Sequence, residues 1–236
     1  MVILLSKSSL KDNYSVWLKN LYPEIQLSDA YSADPESFDD RVQQCSGIVL
    51  TGGADINPAL YGKVKEKPRC EGIDDKRDQL EITLVKAALD KKIPLLAICR
   101  GLQLMNICFN GSLIVDIPSD YGKLIKHRNK KDVRHEIKVA KDTNLYRLGQ
   151  ALNFMVNSSH HQAVKNQGDG LEPVAWAEDM IIEAMELNHR FSHPFFIGIQ
   201  WHPERMEVYN PMSGSLGRAF LQKAEQYSST SRQVGM

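Results

Sequence analysis

Two segments that lie far apart in the chain carry residue types suited to covalent catalysis. In the first, an apolar run of strand type ends at Cys99, and an apolar-periodic helix is expected to begin directly after it. A cysteine at such a turn faces the positive end of the helix, which favours the thiolate. In the second segment, another apolar run delivers His202 and Glu204. A cysteine, a histidine and a carboxylate are the nucleophile, base and base-orienting group of acyl transfer.

The residues around these groups indicate how they are presented. Gly101 allows another backbone or a substrate to approach the start of the helix closely. Pro203 favours an extended segment, and on an extended segment the side chains of His202 and Glu204 point the same way. The alternative interpretation is a buried structural thiol and a surface His–Glu pair. A buried strand leading into each motif favours the catalytic interpretation.

A third motif is the Gly52-Gly53 turn, which follows the apolar run that ends at Leu50. Its backbone N–H groups are candidates to stabilise an oxyanion, although in isolation an ordinary glycine-rich turn is the better interpretation. Neither a dinucleotide fingerprint nor a P-loop motif is present, so phosphate binding is disfavoured.

The remaining cysteines and histidines have weaker contexts. Cys45 and Cys108 are interpreted as small buried hydrophobes, and Cys70 lies in the polar segment 63–75 without an evident partner. Four histidines are predicted to be structural or solvated: His127, His135, His189 and His193. No CxxC spacing occurs. We therefore expect reduced cysteines, no metal site and a cytoplasmic protein.

Composition excludes several classes of protein. The 236 residues carry 29 basic and 29 acidic side chains, which argues against nucleic acid or an anionic membrane surface as a partner. The apolar N-terminus is too short for a signal peptide, and no apolar run approaches the roughly 20 residues that span a bilayer. A single domain over residues 1–236 is the simplest organisation.

Hydrophobic patterning predicts an α/β fold. Strands are expected at residues 2–5, 47–51, 95–98, 135–139, 154–157, 171–177, 181–185 and 195–200. Helices are expected at residues 14–21, 74–90, 100–109 and 216–227, with a frayed tail over residues 228–236. Alternation in the first half predicts a doubly wound, mostly parallel, flavodoxin-like sheet flanked by helices. The second half is expected to add a small mixed β region.

These motifs resemble the class I glutamine amidotransferase superfamily, and in detail its γ-glutamyl-γ-aminobutyrate hydrolase branch. The resemblance is carried by the segments 52–58, 97–103, 156–160 and 201–204, together with Arg77, Asp78 and Glu81. It implies a triad of Cys99 as nucleophile, His202 as base and Glu204 as its orienter. The implied oxyanion donors are the backbone N–H groups of Gly53 and Arg100. The implied contacts to the γ-glutamyl group come from Gln103, Ser158, Ser159 and His160.

The activity that the resemblance implies is hydrolysis of a γ-glutamyl amide through a γ-glutamyl thioester, with a small-molecule substrate and no cofactor. The alternative is a glutaminase subunit that delivers ammonia to a separate synthase. This partner is less favoured, because the chain ends soon after its last predicted helix and we expect no fused synthase domain; a homodimer is left open. Two departures are Ala97 and His161, which stand where relatives often have glycine. His161 puts the identity of the leaving amine in question rather than the reaction type.

Overall fold

A computed structural model describes residues 1–9, 11–32, 37–129 and 133–234, the last four of these by their backbone only. In this part of the chain the largest sheet has nine strands in the order β2-β1-β3-β4-β11-β10-β9-β6-β7, and β5 pairs with β8 separately. The strands are β1 Val2–Leu5, β2 Gln26–Asp29, β3 Gly47–Leu50, β4 Leu95–Ile98, β5 Ser112–Ile114, β6 Val133–Val139, β7 Asn153–Ser158, β8 Ala163–Asn166, β9 Leu171–Ala177, β10 Ile182–Leu187 and β11 Phe196–Ile199.

Five neighbouring strands, β2, β1, β3, β4 and β11, pair in parallel. Numbered by their order in the chain, they run 2-1-3-4-5, which is the flavodoxin-like order. The first half therefore confirms the predicted doubly wound α/β fold. Polar groups at the carboxyl ends of β3, β4 and β11 meet at one edge of this parallel sheet.

The α-helices are α1 Asn13–Leu21, α2 Phe38–Gln44, α3 Asp75–Lys91, α4 Arg100–Cys108, α5 Ile117–Asp120, α6 Asn144–Gly149 and α7 Leu216–Val234. They cover both faces of the sheet. On one face, Trp17 of α1 and Phe220 of α7 are buried against the sheet in one apolar cluster. On the other face, Leu84 of α3 and Met105 of α4 belong to a second cluster. Both faces of the parallel strands are therefore shielded from solvent, which accounts for their continuous apolar sequences.

The second half of the chain departs from the prediction of a small additional β region. Strands β10, β9, β6 and β7 continue the same sheet in antiparallel pairing beyond β11. Only the short β5–β8 pair is separate from that sheet in the described part of the chain. The irregular patterning of the second half thus arises from antiparallel pairing, which leaves alternate side chains exposed.

Several boundaries also differ. The patterning missed β2, α2, β5, α5, α6 and β8, all of which are seven residues or shorter. The polar segment 63–75 contains a 3₁₀ helix, Val64–Arg69. Helix α7 continues to Val234, past the predicted start of a frayed tail at residue 228; residues 235–236 of that tail lie outside the described residues. None of the helices described here is long and apolar enough to cross a membrane.

Candidate active site

Cys99 occupies a strained position between β4 and α4. Its backbone has φ 53° and ψ −105°, in the left-handed half of conformational space that residues with a Cβ seldom adopt. The backbone N–H of Cys99 donates to the carbonyl of Ile199 in β11 at 2.7 Å, which ties the turn to the sheet. A sharp strand-to-helix turn of this kind lifts a nucleophile out of the sheet edge. The structure thus places Cys99 where the sequence predicts.

Gly101 permits this turn to form. A Cβ at Gly101 would lie 2.5 Å from the carbonyl oxygen of Leu50 and 2.7 Å from its Cβ. No other residue type fits so close to β3 without moving α4. The close approach brings the first turn of α4 next to the Gly52-Gly53 turn that follows β3.

His202 follows β11 and is buried together with Glu204. The imidazole Nδ1 lies 2.8 Å from Oε1 of Glu204, and the side chains are 5% and 1% exposed. The predicted extended conformation is wrong, because Pro203–Arg205 forms a 3₁₀ turn. A proline φ near −65° suits a 3₁₀ turn as well as an extended strand. The turn folds the Glu204 carboxylate back onto the ring of His202.

The position of the His202 backbone is also fixed. Its N–H donates to Oδ1 of Asn157 at 2.8 Å, and Nδ2 of Asn157 donates to its carbonyl at 2.9 Å. Asn157 is the penultimate residue of β7, on the antiparallel side of the sheet. This pair of hydrogen bonds gives a structural role to Asn157, a residue of the 156–160 motif for which the sequence implied no role.

The Cys99 side chain interacts electrostatically with the imidazole of His202. Burial alone would lower the pKa of His202, but the charges of Cys99 and Glu204 outweigh burial and raise the pKa to about 10. At neutral pH His202 is therefore an imidazolium held between two acidic groups. Because Glu204 holds Nδ1, the other ring nitrogen, Nε2, is left for Cys99.

Tyr14 of α1 is a site residue that the sequence did not reveal. Its hydroxyl lies 3.5 Å from Nδ1 of His202 and accepts a hydrogen bond from the backbone N–H of Gly52 at 2.9 Å. Burial, followed by the charges of Glu204 and Cys99, raises the pKa of Tyr14 well above its usual value. The hydroxyl therefore stays neutral. No local pattern in the sequence links the start of α1 to His202, 188 residues away.

A buried ionic network supports the Gly52-Gly53 turn from below. Arg77 donates to the carbonyls of Thr51 and Gly52 at 2.7 and 3.0 Å and to Glu81 at 2.8 Å. Arg100 forms ion pairs with Asp78 and Glu81, and all three side chains are at most 2% exposed. The guanidinium of Arg100 thus points away from Cys99. Its backbone N–H, in the first turn of α4, has no acceptor within the helix and remains available as an oxyanion donor.

Cys99 opens into a cavity of about 280 Å³ whose polar walls come from three loops. Its lining residues are Gly53, Ala54, Asp55, Glu71, Gly72, Cys99, Gln103, Arg128, Ser159, His160, His161 and Gln162. A larger groove of about 900 Å³ along β6 has no cysteine in its lining. The smaller cavity, which both Gly53 and Cys99 line, is therefore the candidate active site.

The four predicted substrate contacts do not all face this cavity. Gln103 lines it, but its side-chain amide nitrogen donates to the Gln162 carbonyl and to Gln200, so only its oxygen is left for a ligand. Ser159 lines the cavity as expected. Ser158 does not, because its hydroxyl is buried and donates to the His127 carbonyl at 2.7 Å. The side chain of Ser158 is therefore not among the groups that face this cavity.

The two neighbouring histidines behave differently. His160 touches the cavity, but its ring nitrogens face the Gln162 carbonyl at 2.9 Å and buried Glu183 at 3.5 Å. His161 bridges two carboxylates, Asp55 at 3.0 Å and Asp116 at 3.3 Å. The hydrogen bond to Asp55 is the main cause that raises the pKa of His161. The two carboxylates therefore favour the protonated form of His161, which lines the cavity.

Comparison with known proteins places these features in a family context. A family model described as Peptidase C26 matches residues 26–204. The glutamine amidotransferase-like protein YvdE of Lactococcus lactis is 40% identical over 163 residues, which cover 66% of this chain and 65% of that relative. Gamma-glutamyl-gamma-aminobutyrate hydrolase PuuD of Escherichia coli is 32% identical over 199 residues, covering 80% of this chain and 76% of the relative.

Among solved structures, the glutaminase domain of Trypanosoma brucei CTPS with bound acivicin is similar in fold. It aligns with a TM-score of 0.63 over 95% of this chain and 93% of that domain, at 13% sequence identity. At this identity the likeness concerns the fold alone. It agrees with the mixed, mostly parallel sheet flanked by helices described above.

Proposed function

Because the chain belongs to the Peptidase C26 family, we propose that it is a hydrolase that cleaves γ-glutamyl amides through a thioester on Cys99. The single observation that carries the proposal is the buried Cys99–His202–Glu204 arrangement, which opens into the cavity beside Gly53. A relative named gamma-glutamyl-gamma-aminobutyrate hydrolase, aligned over most of both chains, supports the choice of substrate class.

The first half of the reaction forms the thioester. In the proposed first step, the sulfur of Cys99, with His202 as its acid–base partner, attacks as a thiolate and forms a bond with the γ-carbonyl carbon. The electron pair of the carbonyl moves onto oxygen, where the N–H groups of Gly53 and Arg100 stabilise the negative charge. When this tetrahedral intermediate collapses, the C–N bond breaks and His202 gives its proton to the leaving amine.

The second half releases glutamate. His202, now neutral, accepts a proton from a water molecule, whose oxygen attacks the thioester carbon. The C–S bond breaks, glutamate leaves and the thiolate–imidazolium pair is restored. Glu204 keeps Nδ1 protonated and the ring oriented through both halves.

The cavity walls carry groups that suit the amino-acid end of a γ-glutamyl substrate. Arg128 is a cation that can pair with the α-carboxylate, and Asp55 and Glu71 are acidic groups for the α-amino group. Ser159 and the oxygen of Gln103 add hydrogen-bonding capacity. His161, on the outer wall, is placed to contact the leaving amine.

The experiment that tests this function measures glutamate release by the purified chain alone. The panel contains γ-glutamyl-aminobutyrate, other γ-glutamyl amines, glutamine and folate polyglutamate. We expect faster turnover of a γ-glutamyl amine than of glutamine, since contacts to the leaving group stabilise the transition state. Cleavage of glutamine only, and only after a synthase is added, would instead establish the glutaminase-subunit alternative.

Two variants refine the same assay. Gln103→Ala should reduce the turnover of every substrate by the same factor, because all of them share the γ-glutamyl half. His161→Ala should change the preference among leaving groups while leaving the reaction intact. If His161→Ala weakened all substrates equally, His161 would belong to the γ-glutamyl subsite rather than to the leaving-group side.

A further inference from the structure

Behind the cavity wall lies a second cluster of titratable side chains that the proposed mechanism does not use. His127, His135 and His160 surround Glu183, with side chains between 0% and 5% exposed. Oε1 of Glu183 lies 3.5, 3.4 and 3.5 Å from one ring nitrogen of each histidine in turn. One atom from each of the four side chains can be chosen so that all lie within 4.8 Å of one another.

The outward-facing nitrogens of the three rings define their tautomers. Nδ1 of His135 faces the Glu136 carbonyl at 3.2 Å, and Nδ1 of His160 faces the Gln162 carbonyl at 2.9 Å. A carbonyl only accepts, so both Nδ1 atoms carry the hydrogen. Nε2 of His127 likewise faces the Asp179 carboxylate at 3.0 Å. In the neutral imidazoles, the three nitrogens that converge on Glu183 therefore present lone pairs.

Lone pairs that converge on a buried carboxylate have nothing to bond with. His127 Nδ1, His135 Nε2, His160 Nε2 and both oxygens of Glu183 have no hydrogen-bond partner in the described structure. Buried polar atoms left in this state are costly. One additional proton would satisfy one ring and leave two lone pairs facing the carboxylate. A divalent cation satisfies all four side chains at once.

We propose that His127, His135, His160 and Glu183 bind a structural Zn²⁺ ion. Imidazole nitrogen and carboxylate oxygen are zinc ligands with bonds of roughly 2.0–2.2 Å, so neighbouring ligands of a tetrahedral ion lie about 3.4 Å apart. The three distances from Glu183 agree with that separation. The outer hydrogen bonds to two carbonyls and one carboxylate are those that orient zinc-bound histidines. The more widely spaced atoms draw together when the ion binds.

The sequence did not suggest this site. The expectation of no metal leaves the unpaired nitrogens and oxygens of the cluster unexplained. The ligands stand at positions 127, 135, 160 and 183, and none of their spacings matches a local zinc motif. They come from β6, β10 and two loops that only the antiparallel half of the sheet brings together. Four protein ligands close the coordination sphere, which is the pattern of a structural rather than a catalytic zinc ion.

The ion would hold one wall of the active-site cavity in place. His160 reaches the cavity, and its backbone N–H donates to the His127 carbonyl at 3.0 Å. The Ser158 hydroxyl donates to the same carbonyl. Fixing His127 and His160 to strands β6 and β10 therefore sets the position of the segment that contains Ser159 and His161.

The test measures metal in the untagged full-length protein. Protein produced with added zinc and dialysed against metal-free buffer should contain about one zinc ion per chain. After chelation, added Co²⁺ should produce the visible absorption of a tetrahedral nitrogen and oxygen site. In a separate measurement, the thermal unfolding midpoint of the metal-free protein should rise when zinc is added. His135→Ala should bind zinc at least tenfold more weakly. His189→Ala is the matched control, because the His189 side chain is 82% exposed and lies outside the cluster.

Equal zinc binding by His135→Ala and wild type would overturn the proposal, since the ion would then be bound elsewhere. A folded wild-type protein that retains no zinc and gives no Co²⁺ spectrum would also overturn the proposal. Protonated histidines, rather than a metal ion, would then pair with Glu183. The wild-type measurements decide the question even if His135→Ala fails to fold. None of these readouts depends on catalytic activity, so the result is separate from that of the glutamate-release assay.

Discussion

The reactivity of Cys99 depends on its neighbours, as the other three cysteines show. Burial raises the pKa of Cys45 and of Cys108 to about 12, and it also raises the pKa of Cys70. No histidine is among the groups that shift the pKa of these three thiols. Cys99 instead contacts a cationic His202 and lines an open cavity. One residue type therefore has two different chemistries within the same chain.

Iodoacetamide should therefore modify Cys99 first among the four cysteines at neutral pH. The thiolate is the reactive form, and the three other thiols remain protonated. Mass spectrometry of peptides from a time course gives the order of labelling. Cys108→Ala should label like the wild type, and Cys99→Ala should lose the fast phase. Equal rates at all four positions would contradict the assignment of Cys99.

The charge of Glu204 should be visible in the pH dependence of turnover. His202 must hold a proton for the leaving amine, so kcat/KM should fall as the pH rises through its pKa of about 10. Glu204 raises that pKa, so Glu204→Gln lowers it and moves the alkaline limb to lower pH. Turnover should also fall at least tenfold, because the ring loses its orienting partner.

The matched control is Glu207→Gln, the same change at an exposed position three residues away. It should leave both the rate and the pH profile unchanged. An alkaline limb that stays in place in Glu204→Gln would show that Glu204 does not set the protonation of His202.

At the scale of elements, the proposed mechanism depends on how closely α4 approaches β3. The first turn of α4 presents the Arg100 N–H, and the loop after β3 presents the Gly53 N–H. Both must reach the same oxyanion. The glycine at position 101 and the Arg77–Glu81–Arg100 network hold these two segments together.

Gly101→Ala should therefore destabilise the protein and reduce turnover. Alanine would ordinarily favour a helix by about 1 kcal/mol over glycine. The contact with Leu50 reverses the sign, and we expect a loss of about 2 kcal/mol in the free energy of unfolding, as for overpacked cores. Urea denaturation and kcat/KM measure both effects.

Gly62→Ala is a control for backbone strain alone. Gly62 has φ 75°, but a Cβ there meets nothing within 4 Å. Gly62→Ala should lower the free energy of unfolding by about 1 kcal/mol and leave turnover unchanged. A stable, fully active Gly101→Ala would show that α4 has room to shift without displacing the oxyanion donors.

The sequence predicts those parts of the fold and the site that depend on local pattern. The apolar runs leading into Cys99 and His202 are strands whose ends meet because both belong to the parallel sheet. The Gly52-Gly53 turn is also recognisable, because it follows directly after an apolar run. Such signals extend over a few residues, so they can be interpreted without the tertiary structure.

Features created by long-range packing could not be predicted in this way. Tyr14 reaches His202 only because α1 covers the end of the sheet. The cluster around Glu183 requires the antiparallel pairing of β9 with β6 and β10, which patterning did not resolve. The substrate role of Ser158 was implied by the family resemblance, which does not show that alternate residues of a strand end face opposite sides.

At the scale of the whole molecule, one chain supplies every group that the proposed reaction needs. The proposed nucleophile, base, orienting carboxylate and oxyanion donors, together with the cavity walls, come from β3, β4, α4, β11 and the loops around them. We therefore expect turnover by the isolated chain, with a rate per chain that does not depend on added partners.

The most direct test of this account is partitioning of the reaction between water and hydroxylamine. If all substrates form the same γ-glutamyl thioester on Cys99, the ratio of γ-glutamyl hydroxamate to glutamate must be the same for every leaving amine. We predict one common ratio for γ-glutamyl-aminobutyrate and other γ-glutamyl amines, with both products lost in Cys99→Ala. A ratio that changes with the leaving amine, or turnover that survives in Cys99→Ala, would contradict the shared thioester.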